Sequence, residues 1–73
     1  MNLTQMQAGG FGVVTGVSGD ARFLNRVTGI GLTKGVRFQL VRNDGKMPVL
    51  LYCRETLIAL NRPDAQRIKV RAE

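Results

Sequence analysis

The side chains able to do chemistry are few: Cys53, the carboxylates of Asp20, Asp44, Glu55, Asp64 and Glu73, and no histidine at all. A thiolate nucleophile needs a base beside it, and general acid–base work needs paired groups. A zinc or iron site needs several ligands at helix or hairpin spacing. No two of these residues sit at such a spacing, so Cys53 reads as a small core residue and no catalytic or metal-binding residue is expected. Phosphate cradles fail as well. Gly45-Lys46 is followed by Met47 where a P-loop places Ser or Thr, and Gly29-x-Gly31-x-x-x-Gly35 has the wrong spacing for a dinucleotide fingerprint. No cofactor is expected. The reading is a non-enzymatic binding module.

The elements that hold these residues are short. Leu3 and Met6 form a lead-in able to pack on a barrel end. Phe11 to Val17 reads as a β-branched strand interrupted by Gly12 and Gly16. Ser18-Gly19-Asp20 is a turn with Ser18 or Asp20 as N-cap, and Ala21 to Thr28 reads as two helical turns. Phe23, Val27 and Ile30 recur at helical spacing, which leaves Arg22 and Arg26 on another face. Gly29 and Gly31 end the helix, Leu32 is the apolar plug between glycines, and Gly35 opens an alternating strand from Val36 to Arg42. Asp44-Gly45 signals a reversal. Further strands run from about Met47 to Arg54 and from Thr56 to Leu60. Arg62 to Gln66 reads as one helical turn opened by Pro63, and Arg67 to Arg71 as the last strand. The pattern predicts a mostly β chain, a small SH3-like barrel of about five strands. A short helix lies between strands one and two, and a helical turn precedes the last strand. Residues 1–73 are expected to form one domain.

Alternation assigns faces. With Val49, Leu51, Cys53, Ile58 and Leu60 inward, Leu50, Tyr52 and Leu57 fall together on the outside of one hairpin. Such an exposed apolar cluster is a candidate partner or dimer contact, unless the N-terminal lead folds over it.

Eleven Lys and Arg against five Asp and Glu give +6, which favours anionic partners. The cations are dispersed, as on an ordinary solvated surface. Gly9-Gly10-Phe11-Gly12-Val13-Val14 partly matches the glycine-spaced aromatic strand of RNA-binding modules, but Gly9 and Val13 stand where a basic and an aromatic residue belong. Only four aromatics exist, few for a stacking platform, so nucleic acid is an unfavoured alternative. A lone cysteine, no signal-peptide pattern in the first ten residues and no apolar run near ~20 residues give the expectation of a cytoplasmic chain without membrane insertion.

Taken in order, Gly16-Val17-Ser18-Gly19-Asp20, the helix, Gly31-Leu32-Thr33-Lys34-Gly35, Pro48-Val49, Thr56 to Leu60 and Ala65 to Val70 resemble the FeoA family of bacterial ferrous iron uptake, from about Leu3 to Val70. The resemblance implies an SH3-like barrel and an accessory role in iron transport. It associates the chain with transition metal ion binding, and implies contact with the cytoplasmic GTPase region of the permease FeoB. The same barrel forms the C-terminal domain of iron-dependent repressors, a second regulatory reading. Four departures stand out. Lys34 replaces a usual Pro, Glu55 replaces the Gly of an Arg-Gly-Thr turn, the Asn43–Met47 connection is short, and Leu50, Tyr52 and Leu57 replace more polar residues. Either the turn at Glu55 changes type or Glu55 adopts positive φ. The expected protein-binding residues are therefore Leu50, Tyr52 and Leu57 for apolar contact, with Arg22 and Arg26 steering an acidic partner. Gly29, Gly31, Leu32 and Gly35 are the structural signature. A homo-oligomer burying the hairpin face is the remaining possibility.

Overall fold

In the computed structural model, which describes residues 1–73, five antiparallel strands form one curled sheet in the order β4-β3-β2-β1-β5. They are β1 (Phe11–Val17), β2 (Arg37–Arg42), β3 (Val49–Cys53), β4 (Thr56–Leu60) and β5 (Ile68–Ala72). Helix α1 (Ala21–Gly29) joins β1 to β2, the helical turn α2 (Arg62–Ala65) joins β4 to β5, and a 3-10 turn (Leu3–Gln5) leads in. This is the SH3-like arrangement expected from the sequence. Strands β2, β3 and β5 start or stop one or two residues from the expected limits, as strand ends commonly do.

The caps explain the helix positions. Asp20 accepts from Phe23 N (2.9 Å) at the start of α1, and Asn61 accepts from Asp64 N (2.8 Å) at the start of α2. Pro63 sits within the first turn of α2, where its missing N–H is harmless. Register shifts at Val14/Gly16 and at Leu40/Arg42 add the local bends that curl a five-stranded sheet.

One core of 17 buried side chains fills the curl, centred on Val14, Phe38, Leu40, Val49, Leu51 and Ile68. Leu3 and Met6 close one end of it, as their spacing predicted. Gly12 is where the backbone of β1 meets the core closely. A Cβ there would lie 3.0 Å from both Arg71 O and Phe38 Cζ, so these neighbours would have to give by a few tenths of an ångström.

The lead-in is tied to the far side of the sheet by a polar latch. The Asn43 side chain donates to Thr4 O (2.8 Å) and Met6 O (2.9 Å), and Arg62 donates to Asn43 Oδ1 (2.7 Å). Val70 N donates to Met1 O (2.9 Å), and Asn2 bridges Lys69. The N-terminal segment therefore lies along β5.

Two expectations are corrected. Ile30 is exposed rather than core, because α1 ends at Gly29 and the chain leaves the helical path before Ile30 reaches the sheet. Gly29 is the last helical residue and does not adopt positive φ; Gly31 (φ 96°) and Gly35 (φ 93°) do. Leu32 between them is buried, and its N–H reaches Val27 O at 2.9 Å.

Candidate docking site

The β3–β4 hairpin begins from a two-residue turn, Arg54-Glu55. Both residues are left-handed, with φ of 52° and 64°, the signature of a type I′ turn. Glu55 thus takes the strained conformation that a Gly would occupy freely. This turn type twists with the strands and holds an unbroken register of Cys53↔Thr56, Tyr52↔Leu57, Leu51↔Ile58, Leu50↔Ala59 and Val49↔Leu60.

That register puts Val49, Leu51, Cys53, Ile58 and Leu60 in the core, every one buried. Tyr52 and Leu57 stand directly opposite each other on the outer face, 45% and 59% exposed. Leu50 on the same face is half-buried. On β2, Gln39 lies opposite Tyr52 and Arg42 opposite Leu50, and the neighbouring Val41 is exposed. The N-terminal lead, held along β5, does not cover this face.

The helix cations are arranged less simply. Arg26 is ion-paired with Asp64 and stacks over the Phe23 ring (5.3 Å to its centre), and Arg67 covers the same ring at 5.2 Å. With Arg22 and Asp20 these residues line a cleft of about 190 Å³. Arg22 makes no ion pair. The structure therefore groups Arg22 with Arg26 and Arg67 at α1, while Leu50, Tyr52 and Leu57 form a separate group on the hairpin. Sequence reasoning missed Arg67 and the latch of Asn43 and Arg62. Contacts between residues so far apart along the chain leave no local pattern to read.

Elsewhere, Phe11 is partly exposed with Arg37 over its ring at 4.7 Å, and Arg37 Nε donates to Glu73 Oε1 at 2.6 Å. One face of the ring is therefore occupied. Cys53 is buried, and burial pushes its thiol above the ordinary value. Asp44 lies below its ordinary value because its carboxylate accepts from Met47 N (2.9 Å) and Lys46 N (3.0 Å). No three carboxylate or thiol groups converge in a metal-holding cluster. No helix is long and apolar enough to cross a membrane.

A curled sheet ordered β4-β3-β2-β1-β5, with a helix after β1 and one helical turn before β5, defines a small SH3-like barrel. Comparison with known proteins makes the class specific. The family model for the FeoA domain matches residues 1–72, so the chain belongs to the FeoA domain family. A search of curated proteins found no match. Among solved structures, an iron uptake regulatory protein (FeoA) superposes with a TM-score of 0.93 at 23% identity, covering 100% of this chain and 97% of that one. The FeoA of Stenotrophomonas maltophilia, a prokaryotic SH3 domain protein complexed with zinc, gives 0.84 at 25% identity over 97% and 89%. A manganese-dependent transcriptional repressor gives 0.89 at 21% identity, covering 100% of this chain but 41% of its own.

Proposed function

We propose that this chain serves ferrous iron uptake as a docking protein, acting by contact with the cytoplasmic GTPase region of an FeoB-like permease and performing no chemistry itself. Membership of the FeoA family supports the iron-uptake setting. The observation that carries the docking reading is the outer hairpin face. Tyr52 and Leu57 are paired in register and both are exposed to solvent. Tyr is a common anchor at interfaces, and an apolar neighbour completes the patch. Arg22, free of ion pairing, steers an acidic partner, whereas Arg26 contributes less because Asp64 already neutralises it.

The test is an NMR titration of labelled protein with the permease's cytoplasmic region at ~150 mM salt, with an oligonucleotide as matched control. Shifts confined to the hairpin face with the permease region alone support the reading. Leu57→Asp is then expected to lower affinity by about tenfold or more while leaving the fold intact, and Arg22→Glu to slow association. Shifts with the oligonucleotide alone refute it. The barrel shares its fold with part of a manganese-dependent transcriptional repressor, which leaves a second, regulatory reading. An unchanged spectrum with the permease region favours that alternative.

A further inference from the structure

The sheet has two edges, and the chain treats them differently. The outer edge of β5 is occupied by the N-terminal segment through Met1 O and the Asn2–Lys69 bridge. β4 pairs with β3 and with nothing else. A two-residue turn makes Cys53 and Thr56 the hydrogen-bonded pair, and alternation then aims the backbone of Ile58 and Leu60 at β3. The N–H and C=O groups of Leu57 and Ala59 point the other way, into solvent. Neither amide takes part in any of the turn, loop or cap hydrogen bonds.

Exposed edges are ordinarily blunted by lysine, proline, a bulge or an inward charge. Thr56–Leu60 has none of these. Its five residues are uncharged, and its register with β3 is unbroken. The open edge also adjoins the exposed side chains of Tyr52 and Leu57.

We infer that the free edge of β4 accepts an extended segment of a partner protein as a sixth strand, apolar in its middle and acidic at its ends. The inference rests on the hairpin being the partner-facing surface, as proposed above, and adds how the partner is held. Backbone bonds to Leu57 and Ala59 supply register, and alternate apolar side chains of the segment lie beside Leu57 and Ala59 on the outer face, with Tyr52 one strand further in. The charge requirement comes from the flanks. Arg54 and Glu55 precede β4 and Arg62 follows it; neither arginine is within ion-pair distance of a carboxylate, and Arg62, hydrogen-bonded to the amide of Asn43, is the cation at the C-terminal flank. A second copy is disfavoured as occupant. Laid antiparallel about Ile58, it sets the Arg54-Glu55 end of one chain against the Arg62 end of the other, so what opposes self-pairing is the +6 carried by each chain.

Amide hydrogen exchange of labelled protein tests this, using two probes. These are the permease's cytoplasmic region and a capped seven-residue peptide of alternating valine and threonine ending in Asp and Glu. Leu57 and Ala59 amides are expected to exchange at least tenfold more slowly in the complex, and the same peptide ended in lysine is expected to give no protection. Ala59→Pro, tolerated at an outward edge position, removes one donor and is expected to weaken binding about fivefold to tenfold without unfolding. Shifts at Tyr52 and Leu57 with these two amides still exchanging at the free rate overturn strand addition while sparing the docking proposal. Protection by the acidic peptide but no shift with the permease region supports the edge and refutes that partner. Protection that grows with protein concentration alone overturns the inference in favour of self-pairing.

Discussion

Replacing Glu55 with glycine should stabilise the protein. Glu55 holds φ at 64° at the second turn position and makes no ion pair or side-chain hydrogen bond, so its removal breaks no contact of that kind. A left-handed L-residue costs about 1–2 kcal/mol. Glycine is free of that penalty but loses about 0.5–1 kcal/mol more backbone entropy on folding. The net gain for Glu55→Gly is therefore about 0.5–1 kcal/mol. At about 4–8 °C per kcal/mol for a domain of this size, Tm should rise by about 2–8 °C. Thermal unfolding followed by circular dichroism measures this, with Glu55→Ala as the control that removes the charge yet keeps the strained conformation. Alanine is expected to change stability by less than about 0.5 kcal/mol. If alanine and glycine raise Tm equally, the gain comes from charge and the backbone argument fails. If glycine lowers Tm, the left-handed turn is not under strain.

Gly12→Ala should cost about 1–3 kcal/mol in urea unfolding, because its Cβ lands 3.0 Å from Arg71 O and Phe38 Cζ; an unchanged midpoint refutes the close approach. Asn43→Ala should cost about 1–3 kcal/mol, since the carbonyls of Thr4 and Met6 and the Arg62 guanidinium lose their partner together. Faster exchange along the N-terminal lead is the accompanying sign. The raised thiol of Cys53 stabilises the fold below the unfolded-state pKa and loses that contribution as pH climbs through the higher folded-state value. Stability should fall above about pH 9, with a shallower fall in Cys53→Ala. Asp44 has the opposite sign: its depressed pKa stabilises the fold above its ordinary value of 3.8 and loses that contribution as acid protonates it. Asp44→Ala should flatten the acid limb of the stability profile.

Strand alternation carried most of the fold. The limits of β1 and β4 and the inward set Val49, Leu51, Cys53, Ile58 and Leu60 follow from period two and turn residues alone. The outward placement of Tyr52 and Leu57 follows from the same parity. Ile30 shows where period alone misleads, because helical spacing continues past the residue at which the backbone stops being helical. The pairing of Arg26 with Asp64, and of Asn43 with Thr4, Met6 and Arg62, was not legible. Those contacts depend on how distant strands curl together, which no local window records.

The order of the sheet also bears on the time course of folding. β2, β3 and β4 are chain neighbours joined by short connections, whereas β1 must find β5 from across the sequence, Gly12 meeting Ala72 roughly sixty positions away. Closing so long a loop costs entropy before any contact repays it. The β2–β3–β4 meander is therefore expected to form early, and the β1–β5 seam to close last. Mutations in the hairpin should slow folding, and mutations in the seam should chiefly speed unfolding. On that order, the outer hairpin face would be assembled while the two ends of the chain are still apart.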